Sequence, residues 1–96
     1  MPFLGVALRK IDDKVVVTRV IPGSAAYIAG IQKDDVILSI DGERVRYPKE
    51  VTAVVVRKKV GDEVKITLMR YGKKLEIAAT LEAKSKVLEE TSKKHS

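Results

Sequence analysis

Residues 20–45 read VIPGSAAYIAGIQKDDVILSIDGERV, and this stretch decides the fold. Pro22-Gly23 ends an extended run, and Ser24 is placed to accept a hydrogen bond from an amide two or three residues on, as a helix N-cap does. Ala25 to Ala29 supply one or two helical turns. Gly30 can take the left-handed conformation of a C-terminal cap, with Ile31 packing back on the helix. Lys33-Asp34-Asp35 turn the chain into a strand from Val36 to Ile40, and Asp41-Gly42 make a tight turn from which Glu43-Arg44-Val45 leave extended. Capping and turn formation account fully for Ser24, Gly30 and Asp35. The stretch is a tightly folded frame that holds no group able to do chemistry.

Outward from that frame, strands predominate. Leu4, Val6 and Leu8 alternate ahead of it, with Gly5 permitting a backbone conformation that other residues resist. Asp12-Asp13-Lys14 form a turn, and the β-branched run VVVTRVI that follows predicts a strand buried on both faces. Beyond the frame, Tyr47-Pro48 opens a helix over residues 48–58, proline being suited to the first helical position. Val51, Val54 and Val55, with Tyr47 a turn earlier and the Lys58 stem a turn later, occupy one broad face. Valine is a poor helix former, so burial must hold this helix together. Val64, Ile66 and Leu68 then alternate along a strand, Tyr71-Gly72-Lys73 make a hairpin, and Leu75, Ile77, Ala79 and Leu81 return. Residues 82–96 are polar, with Val87 and Leu88 as large apolar exceptions, and read as a helical or disordered tail.

The composition leaves little room for chemistry. Ninety-six residues make one domain, residues 1–81, with a modest core. There is no cysteine, and the one histidine, His95, stands in the polar tail, so no nucleophile has a credible base and no catalytic residue is expected. The acids come as isolated turn residues without metal-ligand spacing; neither metal nor cofactor is expected. No apolar run approaches the roughly 20 residues of a membrane span, and the opening MPFLGVAL lacks the charged and extended apolar regions of a secretory signal. The sequence is therefore expected to be cytoplasmic or an excised module, with no direct membrane insertion. The net charge of +6 invites a nucleic-acid reading. Its basic residues are largely interspersed with acids, however, and the runs Arg57-Lys58-Lys59 and Lys93-Lys94 have no neighbouring aromatic residue to stack on a nucleobase, so no nucleic-acid partner is expected. A chain without asparagine and with 33% charged residues also hints at a thermophilic source.

The order of a Φ-Gly-Φ loop in FLGV, a β-branched strand, then PGSAAYIAGI, DDVILSIDG and a helix before a final hairpin resembles the PDZ domains of bacterial type. These accompany HtrA-like serine proteases, carboxy-terminal processing proteases and membrane-embedded site-2 metalloproteases. The likeness spans Phe3 to Leu81; Asp34 departs from it, standing where the family more often has glycine. The resemblance implies an α+β, mainly β fold: a partly open, five- to six-stranded antiparallel barrel or sandwich capped by two helices. It implies a groove between the strand starting at Gly5 and the helix, with Leu4-Gly5-Val6 as the loop whose N–H groups receive a ligand's terminal carboxylate. The last ligand side chain then enters a pocket of Leu4, Val6, Val51 and Val54. Tyr47 and Lys58 border the groove, Ala7, Leu8 and Arg9 line upstream positions, and Val55 belongs to the core. The implied partners are C-terminal peptides with a small or medium aliphatic last residue, together with a catalytic protease domain in the parent chain. An extracytoplasmic, membrane-associated setting goes with this family. A scaffold domain that docks on a catalytic partner without binding peptide is the alternative.

Overall fold

The computed structural model describes residues 1–84; most of the tail expected over residues 82–96 lies outside the described residues. Ten elements follow in order: β1 (Pro2–Phe3), β2 (Val6–Ile11), β3 (Lys14–Val20), α1 (Ala25–Ala29), β4 (Val36–Ile40), β5 (Glu43–Arg44), α2 (Pro48–Val56), β6 (Glu63–Arg70), β7 (Lys73–Thr80) and β8 (Glu82–Ala83). The fold is mainly β with two helices, as the sequence implies. Its antiparallel sheets do not close into a barrel. One runs β2-β3-β4-β6-β7 with β5 paired on β4, and the other is the short pair β1-β8.

Three two-residue loops set the sheet's register. Asp12-Asp13, Asp41-Gly42 and Tyr71-Gly72 all have positive φ, the mirror-image turn that matches the twist of a hairpin. They fix the closing pairs Ile11↔Lys14, Ile40↔Glu43 and Arg70↔Lys73. Asp34 also takes a left-handed φ of 77°, so the residue that departs from the family's glycine supplies a glycine-like conformation. Asparagine and aspartate tolerate that region better than most side chains.

The buried face comes from alternation. Val64, Ile66 and Leu68 of β6 are buried, as are Ile37 and Ile40 of β4. In β3, Val15 and Val17 are buried but Val16 and Thr18 only half-buried, so the strand does not have two buried faces as its β-branched run suggests. That run meets the sheet's ordinary one-sided burial. Helix α2 adds Val51, Val54 and Val55 to the core. Burying each is worth about 1.5–3 kcal/mol, whereas valine's helix penalty is at most about 0.7 kcal/mol, so packing outweighs propensity. Pro48 stands at the start of the helix. Glu50 Oε1 accepts from the Arg46 and Tyr47 amides at 2.6 and 2.7 Å; this capping holds its carboxyl below the usual range.

The other end of α2 is tied to the β4–β5 turn. The Lys58 ammonium pairs with Asp41, whose other oxygen accepts from the Lys65 amide at 2.8 Å. The hydrogen bond from Lys58, then that from Lys65, lowers the Asp41 pKa below its ordinary 3.8. A carboxyl depressed by folding stabilises the native state above its unfolded pKa, and the benefit is lost as pH falls through the folded value. The stability of an Asp41→Asn variant should accordingly vary less with pH than wild type below about pH 4, measured by urea unfolding at successive pH values.

Candidate functional site

The site begins at the two residues between β1 and β2. Gly5 has φ 90°, and a Cβ there would fall inside the Ser24 side chain. Ser24, fully buried, accepts from Tyr27 N at 3.2 Å to cap α1, and its hydroxyl donates to the Gly5 carbonyl at 3.4 Å. The Gly5 carbonyl also accepts from Ile21 N at 2.9 Å, and the Leu4 carbonyl accepts from Ala26 N at 2.9 Å. Both carbonyls are thus tied back to the frame of residues 20–45. Among the described residues, no backbone hydrogen bond outside the ladders uses the N–H of Leu4 or Gly5.

Strand β2 continues from this loop with β3 as its one partner in the main sheet, so among the described residues its other edge is unpaired. Helix α2 stands beside that edge. Between them lies a groove of about 210 Å³, room for one or two side chains, below the size of a drug-sized ligand site. Leu4, Gly5, Val6 and Leu8 form one wall, and Val51, Thr52, Val55 and Val56 the other. Residues 1–3 and Lys84 complete the lining at the end where the chain enters and leaves. Beneath, Leu4, Val6, Leu8 and Val51 meet Ile37, Ile40 and Ile66, so the floor is apolar core. Among the described residues, no strand pairs with this edge of β2.

Of the residues the sequence points to, Leu4, Gly5, Val6, Leu8 and Val51 come together here. Ala7 and Arg9 are exposed and, by strand alternation, face away from Val6 and Leu8. Val54 does not line the groove: it lies on the flank of α2 with Glu50, Ala53 and Arg57, facing Ile40, Glu43 and Val45. Val55, expected only in the core and indeed buried there, takes the groove position expected for Val54. At about 100° per residue, position 55 sits only about 40° from Val51, whereas Val54 turns about 60° the other way. Lys58 is engaged with Asp41 and is not among the lining residues. Tyr47 stands beyond the groove's upstream end, its ring beneath the Lys10 ammonium at 3.9 Å, with the Lys49 ammonium at 5.8 Å. Thr52, Val56 and Lys84 carry no sequence expectation. The i, i+4 spacing of 51–55 and 52–56 was the available signal for the helix wall.

A sheet edge left unpaired, opposite a helix that supplies an apolar wall, is the architecture of a domain that accepts an extended peptide as an additional strand. The sequence model of the PDZ domain matches residues 2–81, and the chain belongs to that family. A PDZ domain is a binding module and not a catalytic one. The chain is 35% identical over 66 residues to the periplasmic pH-dependent serine endoprotease DegQ of Escherichia coli, covering 69% of this chain and 14% of that protein. It is 38% identical over 58 residues to the magnetosome formation protease MamE of Paramagnetospirillum magneticum, covering 60% of this chain and 8% of that one. The chain thus spans a small part of these relatives' length. Among solved structures, the PDZ domain of HtrA3 bound to a phage-derived ligand (FGRWV) superposes with a TM-score of 0.76 at 20% identity, covering 85% and 86% of the two chains. The HtrA-type protease AlgW with a decapeptide gives 0.79 at 24% identity, covering 84% of this chain and 29% of that one. At these identities the likeness is one of fold.

Proposed function

We propose that the domain binds the C-terminal ends of polypeptides whose last residue is a small or medium aliphatic one, as a strand added to β2. In this reading it is the substrate-binding or regulatory domain of an HtrA-like or other membrane-associated protease. The observation that carries the proposal is the open β2 edge: the Leu4 and Gly5 amides lie at its start, and the valines of α2 stand across a narrow apolar gap. Amides held in place by tied-back carbonyls suit a carboxylate, each charge-assisted bond being worth about 1.5–3 kcal/mol. An aliphatic side chain between Val6, Val51 and Val55 gains about 1.5–3 kcal/mol by burial. Lys10 and Lys49 around Tyr47 place positive charge at the upstream end, which favours an acidic residue there in the ligand.

The test is titration with a pentapeptide ending in valine, as free acid and as amide, followed by backbone amide resonances. The free acid should shift residues 4–8 and α2 with micromolar affinity, and amidation should remove most of the effect. Peptides inert up to millimolar concentration would sink the proposal and leave the docking-scaffold reading. Pocket shape gives a sharper check. Val55→Ala enlarges the groove, so preference should move from valine-ending toward leucine- or phenylalanine-ending peptides by about tenfold, the scale on which one or two methylene groups discriminate. An unchanged ratio of dissociation constants would exclude Val55 from the pocket.

A further inference from the structure

Lys84 lies three residues beyond the span matched by the PDZ family, yet it lines the same groove as Leu4 and Gly5. Pairing between the two ends of the domain sets its position. Strand β8 joins β1 through Pro2↔Ala83 and Phe3↔Glu82, and the Lys84 amide donates to the Met1 carbonyl at 3.4 Å. The segment that carries Lys84 is therefore fastened to the segment that runs directly into the Leu4-Gly5 loop. The Lys84 ammonium stands 5.7 Å from the centroid of the Phe3 ring, and the edge of that ring is 3.6 Å from the place a Gly5 Cβ would occupy. Phe3 thus bridges the loop and the cation. Among the described residues, Lys84 is the one groove-lining side chain that carries charge; Thr52 adds a hydroxyl, and the other side chains are apolar.

We propose that Lys84 supplies the counter-charge for the terminal carboxylate of a bound peptide, an inference that rests on the peptide-binding reading above. Backbone N–H groups direct and satisfy a carboxylate but bring no net charge, and apolar walls penalise an anion left without one. A lysine is suited to offset this because its ammonium is a point charge on a flexible stem. It can move from the Phe3 ring to the carboxylate without disturbing the β1–β8 pair. Because Lys84 is exposed, its contribution should be that of a solvent-screened pair, a factor of about three in affinity rather than the hundredfold of a buried one.

The experiment compares wild type with Lys84→Gln, Lys84→Arg and Lys84→Glu in titrations with the valine-ending pentapeptide at low and high salt. Lys84→Gln should bind the free acid about threefold more weakly, Lys84→Glu about tenfold more weakly, and Lys84→Arg as wild type does. The differences should shrink at about 1 M salt, where the screening length is only about 3 Å. The amidated peptide should bind all four proteins equally at whatever level it binds wild type. If wild type binds no free-acid peptide, the peptide reading fails and this one fails with it. If wild type binds the free acid and Lys84→Gln matches it at low salt, Lys84 alone is overturned, as it also is if the amide loses as much as the acid.

Discussion

Replacing Gly5 with alanine is expected to destabilise the domain by about 3–5 kcal/mol, among the largest effects a single methyl group can have here. Two costs combine. At φ 90° the backbone sits in a region L side chains rarely adopt, which alone costs about 1–2 kcal/mol. The new Cβ would also overlap the Ser24 side chain, and the nearest atom is Ser24 Cβ, which rotation of the side chain does not move. Relief requires the loop or α1 to move. Urea unfolding of three variants separates the costs. Ser24→Gly keeps an acceptable cap residue and should cost only a few tenths of a kcal/mol through the cap, more through the lost Gly5 bond. The Gly5→Ala/Ser24→Gly double variant should be more stable than Gly5→Ala alone, since the overlap is gone and only the backbone strain remains. A Gly5→Ala midpoint equal to wild type would mean that the loop is not clamped against α1. The glycine, in this account, answers to Ser24 as well as to any approaching ligand, a reason the sequence does not disclose because nineteen residues separate the two positions.

Several features of fold and site were legible because their causes are local. Asp41-Gly42 and Tyr71-Gly72 announce hairpin turns through residues that tolerate positive φ, and Ser24 and Gly30 announce the two ends of α1. The alternation of Leu4, Val6 and Leu8 and the shared helix face of Val51, Val54 and Val55 followed from periodicity, whereas Val51's place in a groove wall came only with the family resemblance. The choice between Val54 and Val55 followed from neither, because in VTAVVV every candidate has the same hydrophobicity. What decides is a competition between two surfaces: the β4–β5 hairpin also requires an apolar cover and takes Val54, which turns Val55 to the groove. Lys84 was hidden for a different reason. Its placement depends on Glu82–Ala83 pairing with Pro2–Phe3, a contact between opposite ends of the chain, and the polar composition after Leu81 gives no local sign of a strand. The half-burial of Val16 likewise depends on which face of the sheet the helices cover, and β-branching alone cannot report that.

The second large effect lies at the other end of α1 from Gly5. Asp35 is 1% exposed and receives two hydrogen bonds from Arg70, Nε to Oδ1 at 2.8 Å and Nη2 to Oδ2 at 2.7 Å, and a third from Gln32 N at 2.8 Å. Arg70 Nη2 also donates to the Gly30 carbonyl at 2.8 Å, so one guanidinium at the end of β6 holds both the C-terminal cap of α1 and the start of β4. The Asp35 hydrogen bond raises the Arg70 pKa further above its already high value. Asp35→Ala leaves a largely buried cation and a backbone amide without their partner and should cost about 3–5 kcal/mol by urea unfolding. Asp35→Asn should lose less, since it keeps an acceptor but not the charge. A paired Asp35→Leu/Arg70→Met replacement should recover much of the loss, because apolar residues of similar size avoid the uncompensated charge. An Asp35→Ala midpoint within error of wild type would show that the pair contributes nothing net. The consequence for binding follows from connectivity: α1 also holds the Leu4 carbonyl through Ala26 N. Asp35→Ala protein that remains folded at low temperature should therefore bind the free-acid peptide more weakly, although Asp35 is not among the residues lining the groove, with the loss concentrated in the amide shifts of residues 4–6 rather than those of α2.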